Sequence, residues 1–249
     1  MSKFIKFNRK SGHSFVEIPL FGREGTRSVR VKNILYDKKS SFQEILIVET
    51  PDGDRVFFLD GVVQCSLRWS WVYDKMALIP MSSIDSELLV LGGGDGDIVR
   101  LANAINPDLN ITLVELDSAV IDASSENFGP LPKNVDLVVG DALEFLRNYD
   151  GEGFHGIVSD LTDTPIGTKG KKQYERFYSE VVELCWGVLG WDGWISIQAG
   201  PPKVPKGRFD SNKFLRELLA RKGFERITTT AHYVPIYFED WSIVCGWKL

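Results

Sequence analysis

The sequence has little of what metal-binding, disulfide-bonded and membrane proteins require. Its three histidines and three cysteines are not grouped at the spacing of a metal site. The cysteines lie far apart in apolar segments and are predicted to be free, buried thiols in a reducing compartment. No apolar run approaches the roughly 20 residues of a membrane span, and the N-terminus lacks a signal-peptide core. We therefore expect a cytoplasmic protein without a metal site or a membrane partner.

The sequence also lacks an excess of positive charge. Its formal net charge is −5, whereas a nucleic-acid-binding protein needs a basic face, so we expect no nucleic-acid partner. At 249 residues, 43% of them hydrophobic, the chain can bury a sizeable core. This size fits one large α/β domain or a domain with a small appendage.

Residues 1–64 are predicted to form a small antiparallel β domain. Segments 29–36 and 42–49 are rich in β-branched and aromatic residues, and a turn at Pro51–Asp54 leads into a returning strand, 55–59. Asp60 and Gly61 make a further turn. No helical periodicity interrupts this region.

The pattern changes in the second predicted domain, residues 65–249. A helical segment over 65–78 is followed by Pro80, and strands and helices then alternate. The predicted strands are 88–91, 111–115, 135–139, 156–159 and 194–198, the last preceded by a turn at Trp191–Gly193. The predicted helices are 98–105, 118–127, 142–148, 173–189 and 211–222. This alternation predicts a parallel sheet, and a C-terminal hairpin, 226–237 with 241–247, would make the last strand antiparallel.

A glycine-rich turn organises the second domain. The apolar run Leu88–Leu91 ends in four glycines within five residues, Gly92–Gly96, and a helical pattern follows at once. Strand, glycine turn and helix form the opening of a nucleotide-binding α/β unit, because glycine lets the backbone approach a ligand closely. Glu115 lies 21 residues beyond Gly94, about where an acidic residue meets a ribose in such folds.

The same turn carries two acidic residues, Asp95 and Asp97. A pyrophosphate would be repelled by these carboxylates at short range, which argues against NAD and FAD. We therefore predict a nucleoside ligand that carries positive charge beyond its ribose. An adenosyl sulfonium fits that description.

Nearly every predicted parallel strand ends in an acidic residue at one edge of the sheet. In chain order these are Asp95, Glu115 with Asp117, Asp141, and Asp160 with Asp163. Each has a local alternative, since Asp117 and Asp141 can cap helices and Asp163 can be a turn residue. As a set they repel one another unless a cation offsets their charge. Their spread along the whole edge favours an organic polycation over a metal ion.

The segment Asp160–Gly167 gives the clearest local indication of a functional site in the sequence. Two aspartates three residues apart at a strand end, followed by Pro165 and Gly167, suggest a fixed acidic pair. The polar loop 168–173 would then form a mobile lid. The alternative is an ordinary strand-to-helix loop.

Seven motifs in order, from about residue 30 to the C-terminus, resemble the spermidine synthase (polyamine aminopropyltransferase) family. They are Leu59–Cys65, Tyr73–Met76, Gly92–Gly96, Val114–Asp117, Val139–Leu146, Asp160–Gly167 and Val234–Tyr237. The resemblance implies a Rossmann-like, methyltransferase-type sheet with a small N-terminal antiparallel β domain, in a homodimer or homotetramer. It also implies transfer of an aminopropyl group from decarboxylated S-adenosylmethionine to a diamine such as putrescine, releasing methylthioadenosine.

The resemblance assigns roles to individual residues. The nucleoside donor would be held by Gln43, Gly92, Gly94, Asp95, Glu115, Asp141 and Ala142. Among these, Glu115 would bind the ribose hydroxyls, Asp141 the adenine amino group and Asp95 the amine of the donor. The acceptor amine would be held by Tyr73, Asp74, Asp163 and Tyr237, with Asp160 as the catalytic proton acceptor. Whether Asp160 is a true base or positions the amine stays open at this point.

The chain departs from the family pattern mainly on the acceptor side. Arg68–Trp71 stands where an acidic pair is usual, Asp74 where His or Gln is common, and Asp97 where Gly is common. Trp69 and Trp71 would belong either to the core of the β domain or to the pocket lining. These departures keep two alternatives open: an S-adenosylmethionine-dependent amine N-methyltransferase, and a non-catalytic nucleoside- or polyamine-binding protein.

Overall fold

The computed structural model describes residues 3–9, 11–161 and 170–249. Its N-terminal part consists of two antiparallel sheets. The first contains β1 (Ile5–Asn8), β2 (His13–Pro19) and β3 (Thr26–Val31), in that order. The second contains β4 (Asn33–Lys39), β5 (Glu44–Glu49), β6 (Arg55–Leu59) and β7 (Val62–Ser66). The predicted antiparallel β structure is confirmed, as two sheets.

The helix after these sheets begins later than predicted. Helix α1 spans Ser70–Ala77, whereas Cys65, predicted to start the helical segment, lies in β7. The β-branched start of β7 pairs antiparallel with β6 across the turn at Asp60 and Gly61, whose φ angles are 49° and 80°. Strand pairing therefore overrides the partial helical spacing of this segment.

The remaining elements alternate around one seven-stranded sheet. The strands are β8 (Glu87–Gly92), β9 (Asn110–Glu115), β10 (Val135–Val139), β11 (Phe154–Asp160), β12 (Leu189–Gly200), β13 (Glu225–Val234) and β14 (Glu239–Lys248). The helices are α2 (Asp97–Ile105), α3 (Ser118–Phe128), α4 (Ala142–Asn148), α5 (Lys171–Val188) and α6 (Ser211–Lys222). The order is β10-β9-β8-β11-β12-β14-β13, with β8 to β12 parallel and β14 antiparallel to both neighbours. The predicted α/β fold is confirmed.

Strand β12 is longer than predicted. The expected turn at Trp191–Gly193 lies inside the strand, where the register against β11 shifts between Phe154 and Gly156. Asp192 has a φ of 58°, so the local turn geometry forms an irregularity within the strand. The helix predicted to reach residue 189 ends at Val188 for the same reason, since β12 begins at Leu189.

Side chains of β8 alternate between two cores. Leu88 and Val90 pack with the N-terminal sheets, whereas Leu89 and Leu91 pack with α5 and α6 on the other face. Helices α1 and α2 contribute Met76, Ala77, Ile98 and Val99 to the first of these cores, so they lie between the central sheet and the N-terminal sheets. The cysteines Cys65, Cys185 and Cys245 are free and buried, as predicted. Among the helices of the described ranges, none has the length and apolar composition that crossing a membrane requires.

Candidate active site

A pocket of about 250 Å³ lies between the N-terminal sheets and the carboxyl ends of the parallel strands. It gathers predicted site residues from five helices and strands and from four connecting loops. Lining it are Gln43, Tyr73, Asp74, Gly92, Gly94, Asp95, Glu115, Asp141, Ala142, Asp160 and Tyr237. Asp163 and the loop from 162 to 169 lie outside the described residues. The expectation that the strand-end acids meet at one edge is therefore met by four of them.

The glycine turn brings two strand ends close together. Gly92 has a φ of 75°, and a Cβ there would lie 2.4 Å from the backbone oxygen of Asp160. A Cβ on Gly94 would lie 2.6 Å from Oε2 of Glu115, whereas the N–H of Gly94 donates to that oxygen at 3.1 Å. Glycine is required at both positions because no side chain fits between these strand ends.

Glu115 is held by two backbone hydrogen bonds. Its Oε2 accepts from Gly94, and its Oε1 accepts from the N–H of Asp117 at 2.9 Å. Burial raises the pKa of Glu115, while these two hydrogen bonds lower it. Each carboxylate oxygen keeps a second lone pair toward the pocket, so a ligand hydroxyl can still bind.

Asp95 lies in a turn that carries its own counter-charge. Burial, followed by the charges of Asp97 and Asp160, raises the pKa of Asp95 to about 7. The guanidinium of Arg100 donates to Oδ1 of Asp97 and to the backbone oxygen of Asp95, both at 2.6 Å. Among the described residues, the cation that bonds to this acidic turn is Arg100.

Cys65, Asp95 and Asp97 place possible ligand atoms within 4.8 Å of one another. Burial raises the pKa of the Cys65 thiol well above its usual value, which keeps the thiol protonated and makes it a weak metal ligand. Arg100 already supplies a positive charge at this cluster. The donor set therefore fits a metal ion poorly.

Tyr73 and Asp160 form the centre of the other half of the pocket. The phenol of Tyr73 donates to Oδ1 of Asp160 at 2.5 Å. Burial raises the pKa of Asp160 to about 6, although the bond from Tyr73 lowers it. The ring of Tyr73 packs edge-on against Tyr237 at 6.2 Å, and the phenol of Tyr237 donates to the backbone oxygen of Gln64 at 2.7 Å.

Asp74 is a buried carboxylate that lines the same pocket. It is 5% exposed, and within the described ranges its side chain makes no hydrogen bond. Burial, followed by the charges of Asp97, Asp95 and Asp160, raises the pKa of Asp74 well above its ordinary value. A cationic group in the pocket would offset this charge, since a buried acid without a partner is costly.

The acidic residues that follow β9 and β10, Asp117 and Asp141, differ in whether they line the pocket. Asp141 lines the pocket and also caps α4, accepting from the N–H of Glu144 at 2.9 Å. Asp117 caps α3 and does not line the pocket; its Oδ2 accepts from Nε2 of Gln43 at 3.1 Å. The local alternative is therefore correct for Asp117, which also holds Gln43 of the N-terminal part in place.

Trp69 and Trp71 belong to neither of the predicted environments. They are 37% and 49% exposed and do not line the pocket. Both lie at the start of α1, whose buried face instead carries Tyr73, Asp74 and Met76. The ammonium of Lys75 lies 4.7 Å from the centre of a Trp71 ring, so this tryptophan packs at the surface.

Several pocket residues were not predicted. Phe21, Gln64, Gln198 and Trp241 line it, from a loop after β2 and from β7, β12 and β14. Gln198 bonds to the backbone oxygen of Leu161 at 2.6 Å. Two of them had a signal in the sequence, since Gln198 ends a predicted parallel strand and Gln64 lies in the motif Leu59–Cys65. Phe21 and Trp241 reach the pocket from segments without such a signal.

The sheet order and the strand-end pocket place the chain in the class of Rossmann-like, methyltransferase-type α/β proteins. Residues 72–248 match the family model described as spermine/spermidine synthase domain. Residues 24–66 match the spermidine synthase tetramerisation domain, which supports an oligomer. The chain belongs to the spermine/spermidine synthase family, which confirms the resemblance of its motifs.

Named relatives agree with this membership. The chain is 35% identical over 180 residues to a spermidine synthase of Dictyostelium discoideum, covering 69% of this chain and 62% of that protein. It is 36% identical over 148 residues to a spermine synthase of Arabidopsis thaliana, covering 56% of this chain and 41% of that protein. The chain therefore spans less than two thirds of the length of these relatives.

Two solved structures share the fold over the whole chain. One is a spermidine synthase in complex with the transition-state analogue AdoDATO, with a TM-score of 0.82 at 23% identity, covering 100% of this chain and 84% of that one. The other is a spermidine synthase from Thermotoga maritima, with a TM-score of 0.79 at 21% identity, covering 100% and 83%. At these identities the match establishes the common architecture.

Proposed function

We propose that this protein is a polyamine aminopropyltransferase. It would move the aminopropyl group of decarboxylated S-adenosylmethionine to an amine such as putrescine and release methylthioadenosine. The observation that carries the proposal is the convergence of Asp95, Glu115, Asp141 and Asp160 on one pocket. A ligand with a sulfonium and ammonium groups supplies the positive charge that this convergence requires.

The donor nucleoside occupies the side of the pocket formed by β8, β9 and β10. Glu115 accepts hydrogen bonds from the ribose hydroxyls, as its fixed carboxylate allows. Asp141 accepts from the adenine amino group beside Ala142, and Gln43 contacts the nucleoside from the loop between β4 and β5. The backbone of Gly92 and Gly94 approaches the donor where a side chain would collide.

Asp95 binds the terminal amine of the donor and selects against a carboxylate. Intact S-adenosylmethionine carries a carboxylate near that amine, and the neighbouring acids would repel it. Asp74 strengthens this selection because a cation bound in the pocket stabilises its ionised form, whereas a ligand carboxylate would raise its pKa further. The acidic pocket therefore favours the decarboxylated donor and opposes the methyltransferase alternative.

The acceptor amine lies beside Tyr73, Asp74, Tyr237 and Asp160. Its nitrogen lone pair forms a bond to the methylene carbon next to the sulfonium, and the carbon–sulfur bond breaks with both electrons going to sulfur. The products are a neutral thioether and a protonated secondary amine, whose proton passes to Asp160. Asp163, outside the described residues, keeps its proposed role in holding the acceptor.

Proton acceptance by Asp160 depends on its shifted pKa. A free amine has a pKa of about 10.4 and a free aspartate about 3.9, a difference that makes proton transfer inefficient. The raised pKa of Asp160, about 6, narrows this difference, and desolvation of the amine lowers its own pKa. Asp160 therefore serves as the general base of the proposed reaction.

We further propose a domain organisation, an oligomeric state and a cellular location for the protein. Residues 1–64 form the N-terminal β domain and 65–249 the catalytic domain of a homodimer or homotetramer. The protein works in the cytoplasm, where its free, buried cysteines suit a reducing compartment. The reaction requires no metal ion, nucleic acid or membrane, and its products belong to polyamine biosynthesis.

Release of methylthioadenosine tests the proposal. The purified protein is incubated with decarboxylated S-adenosylmethionine and a panel of amines, and the products are separated by chromatography. We expect methylthioadenosine and an aminopropylated amine from the wild-type protein and none from Asp160→Asn. The matched control, Asp136→Asn, removes an exposed carboxylate from β10 and should keep full activity.

Two other results would contradict the proposal. Methylated amine formed from intact S-adenosylmethionine would identify a methyltransferase. Calorimetric binding of the donor without turnover of any amine would identify a nucleoside- or polyamine-binding protein.

A further inference from the structure

A buried glutamate on the C-terminal hairpin holds a loop of the N-terminal sheet at the pocket. Glu239, the first residue of β14, is 7% exposed. Its Oε1 accepts from the N–H of Phe21 at 2.5 Å, and its Oε2 accepts from the N–H of Gly22 at 2.6 Å. Both oxygens of one carboxylate thus bind consecutive backbone amides, an arrangement that fixes position as well as distance.

Two arginines hold the same loop, which connects β2 to β3. Nη1 of Arg208 donates to the backbone oxygen of Phe21 at 3.1 Å. Nη2 of Arg23 donates to the backbone oxygen of Phe238 at 3.0 Å. A Cβ on Gly22 would lie 2.8 Å from Oε2 of Glu239, so the close approach of loop and carboxylate requires glycine there. The loop is therefore fixed by groups that lie more than 180 residues away in sequence.

Phe21 begins an aromatic wall that runs through the pocket to Asp160. Its ring packs edge-on against Trp241 at 5.8 Å, and Trp241 packs against Tyr237 at 5.1 Å. Tyr237 in turn contacts Tyr73, which donates its hydrogen bond to Asp160. These four aromatic residues all line the pocket. Apolar ring surfaces of this kind suit the methylene chain of an aliphatic amine, whereas the acids suit its ammonium ends.

Glu239 does not line the pocket itself. Its carboxylate is directed at the two amides of the loop, so its effect on a ligand passes through Phe21.

We propose that Glu239 is a positioning residue that sets acceptor selectivity by fixing Phe21 at the end of the aromatic wall. The position of Phe21 limits the length of the hydrocarbon chain that fits between this ring and Asp160. This inference rests on the proposed aminopropyltransferase function. It concerns the choice of amine and leaves donor binding, on the opposite side of the pocket, unaffected.

The test compares Glu239→Gln with a matched control, Asp240→Asn, which removes an exposed carboxylate from the next residue of β14. The glutamine keeps one oxygen but places an NH₂ group against one of the two amides. Steady-state kinetics are measured with diamines of increasing chain length. In Glu239→Gln we expect KM for the preferred diamine to rise roughly tenfold and the length preference to broaden, because a bond to a charged group is lost. The KM for the donor and kcat should stay near the wild-type values.

A second variant, Phe21→Ala, tests whether Glu239 acts through Phe21. Phe21→Ala should reproduce the rise in acceptor KM, and the double variant should show no further rise, because Glu239 acts through Phe21. Thermal unfolding of each variant verifies that it is folded.

The possible outcomes separate the two proposals. Wild-type turnover combined with an unchanged length preference in folded Glu239→Gln would overturn the role of Glu239 alone. Equal rises in donor and acceptor KM, or additive effects of the two substitutions, would also overturn it by indicating general destabilisation. A wild-type protein without turnover of any amine overturns the proposed function and this inference together.

Discussion

Tyr73 and Asp160 are joined by a hydrogen bond of 2.5 Å between the phenol and Oδ1 of the carboxylate. One residue comes from α1, the other from the end of β11, so the bond connects the first helix to the central sheet. Because the phenol donates to the ionised carboxylate, it lowers a pKa that burial raises. The bond therefore controls the pH at which Asp160 can accept a proton.

Replacing Tyr73 with Phe should move the acidic limb of the pH profile. Asp160 must be ionised to accept a proton, so activity should rise with pH through its pKa of about 6. Without the phenol, burial still raises the pKa of Asp160 but no hydrogen bond from Tyr73 lowers it, so the acidic limb should shift to higher pH. The measurement is kcat/KM for the acceptor from pH 5 to about 9. If the acidic limb of the Tyr73→Phe profile stays at the wild-type pH, the hydrogen bond from Tyr73 does not control the pKa of Asp160.

Asp95→Asn should stabilise the unliganded protein at neutral pH. The pKa of Asp95 is about 7 in the folded chain and about 3.9 in an unfolded one, so the folded state binds more protons between these values. The free energy of unfolding should then fall as pH rises from about 4 to about 7. The amide removes this loss while its oxygen can still accept from the N–H of Asp97.

Thermal unfolding across this pH range measures the effect. At pH 7.5 we expect the Tm of Asp95→Asn to exceed that of the wild type by at least roughly 4 °C, since about 1 kcal/mol already shifts Tm by about 2–4 °C in a chain of this size. The difference should disappear near pH 4, where the native carboxyl is protonated. A difference that is constant with pH would show that the titration of Asp95 is not its cause.

Glu115→Gln should weaken nucleoside binding specifically. The amide can accept from only one of the two N–H groups that now bind the carboxylate, and it presents an NH₂ group to the other. We expect the Kd for methylthioadenosine, measured by calorimetry, to rise at least about tenfold. Glu126→Gln, which alters an exposed residue of α3, is the control and should bind as the wild type does.

Asp74→Asn should distinguish charged from neutral ligands. Burial raises the pKa of Asp74, and a cationic ligand beside it stabilises the ionised carboxylate, whereas a neutral amide of the same shape cannot ionise. The affinity for decarboxylated S-adenosylmethionine should fall roughly tenfold, whereas that for methylthioadenosine, which lacks the ammonium, should change by less than about twofold. Equal losses for the two ligands would indicate a change of pocket shape instead.

Local signals were sufficient to predict the regular part of the fold. Helix α6 has the predicted bounds, 211–222, because Asp210 caps its start and Gly223, with a φ of 110°, ends it. The run Leu88–Leu91 is fully buried, as a central parallel strand must be. The strand-end acids could be placed in one pocket because parallel strands share a carboxyl edge.

Features that depend on distant contacts could not be predicted in this way. Phe21 and Trp241 meet at the pocket through Glu239, across more than 200 residues, and no local pattern encodes that approach. The hydrophobicity of Trp69 and Trp71 predicts that both are buried, but the buried face of α1 carries Tyr73 and Asp74 and the two tryptophans are exposed. Asp117 shows the remaining difficulty, since strand-end position does not reveal whether a carboxylate faces the pocket or a helix N-terminus.

The bond between Gln43 and Asp117 has a consequence for how the protein can be divided. It joins the loop before β5 to the start of α3, and Ile45 and Phe57 pack against Val120 directly beneath it. Cutting the chain at the predicted boundary, between residues 64 and 65, would expose the apolar face of α3 and remove the part of the pocket lining that includes Gln43 and Phe57. We therefore expect that binding of the proposed donor requires both parts of the chain, even though the acids and the glycine turn all belong to one part.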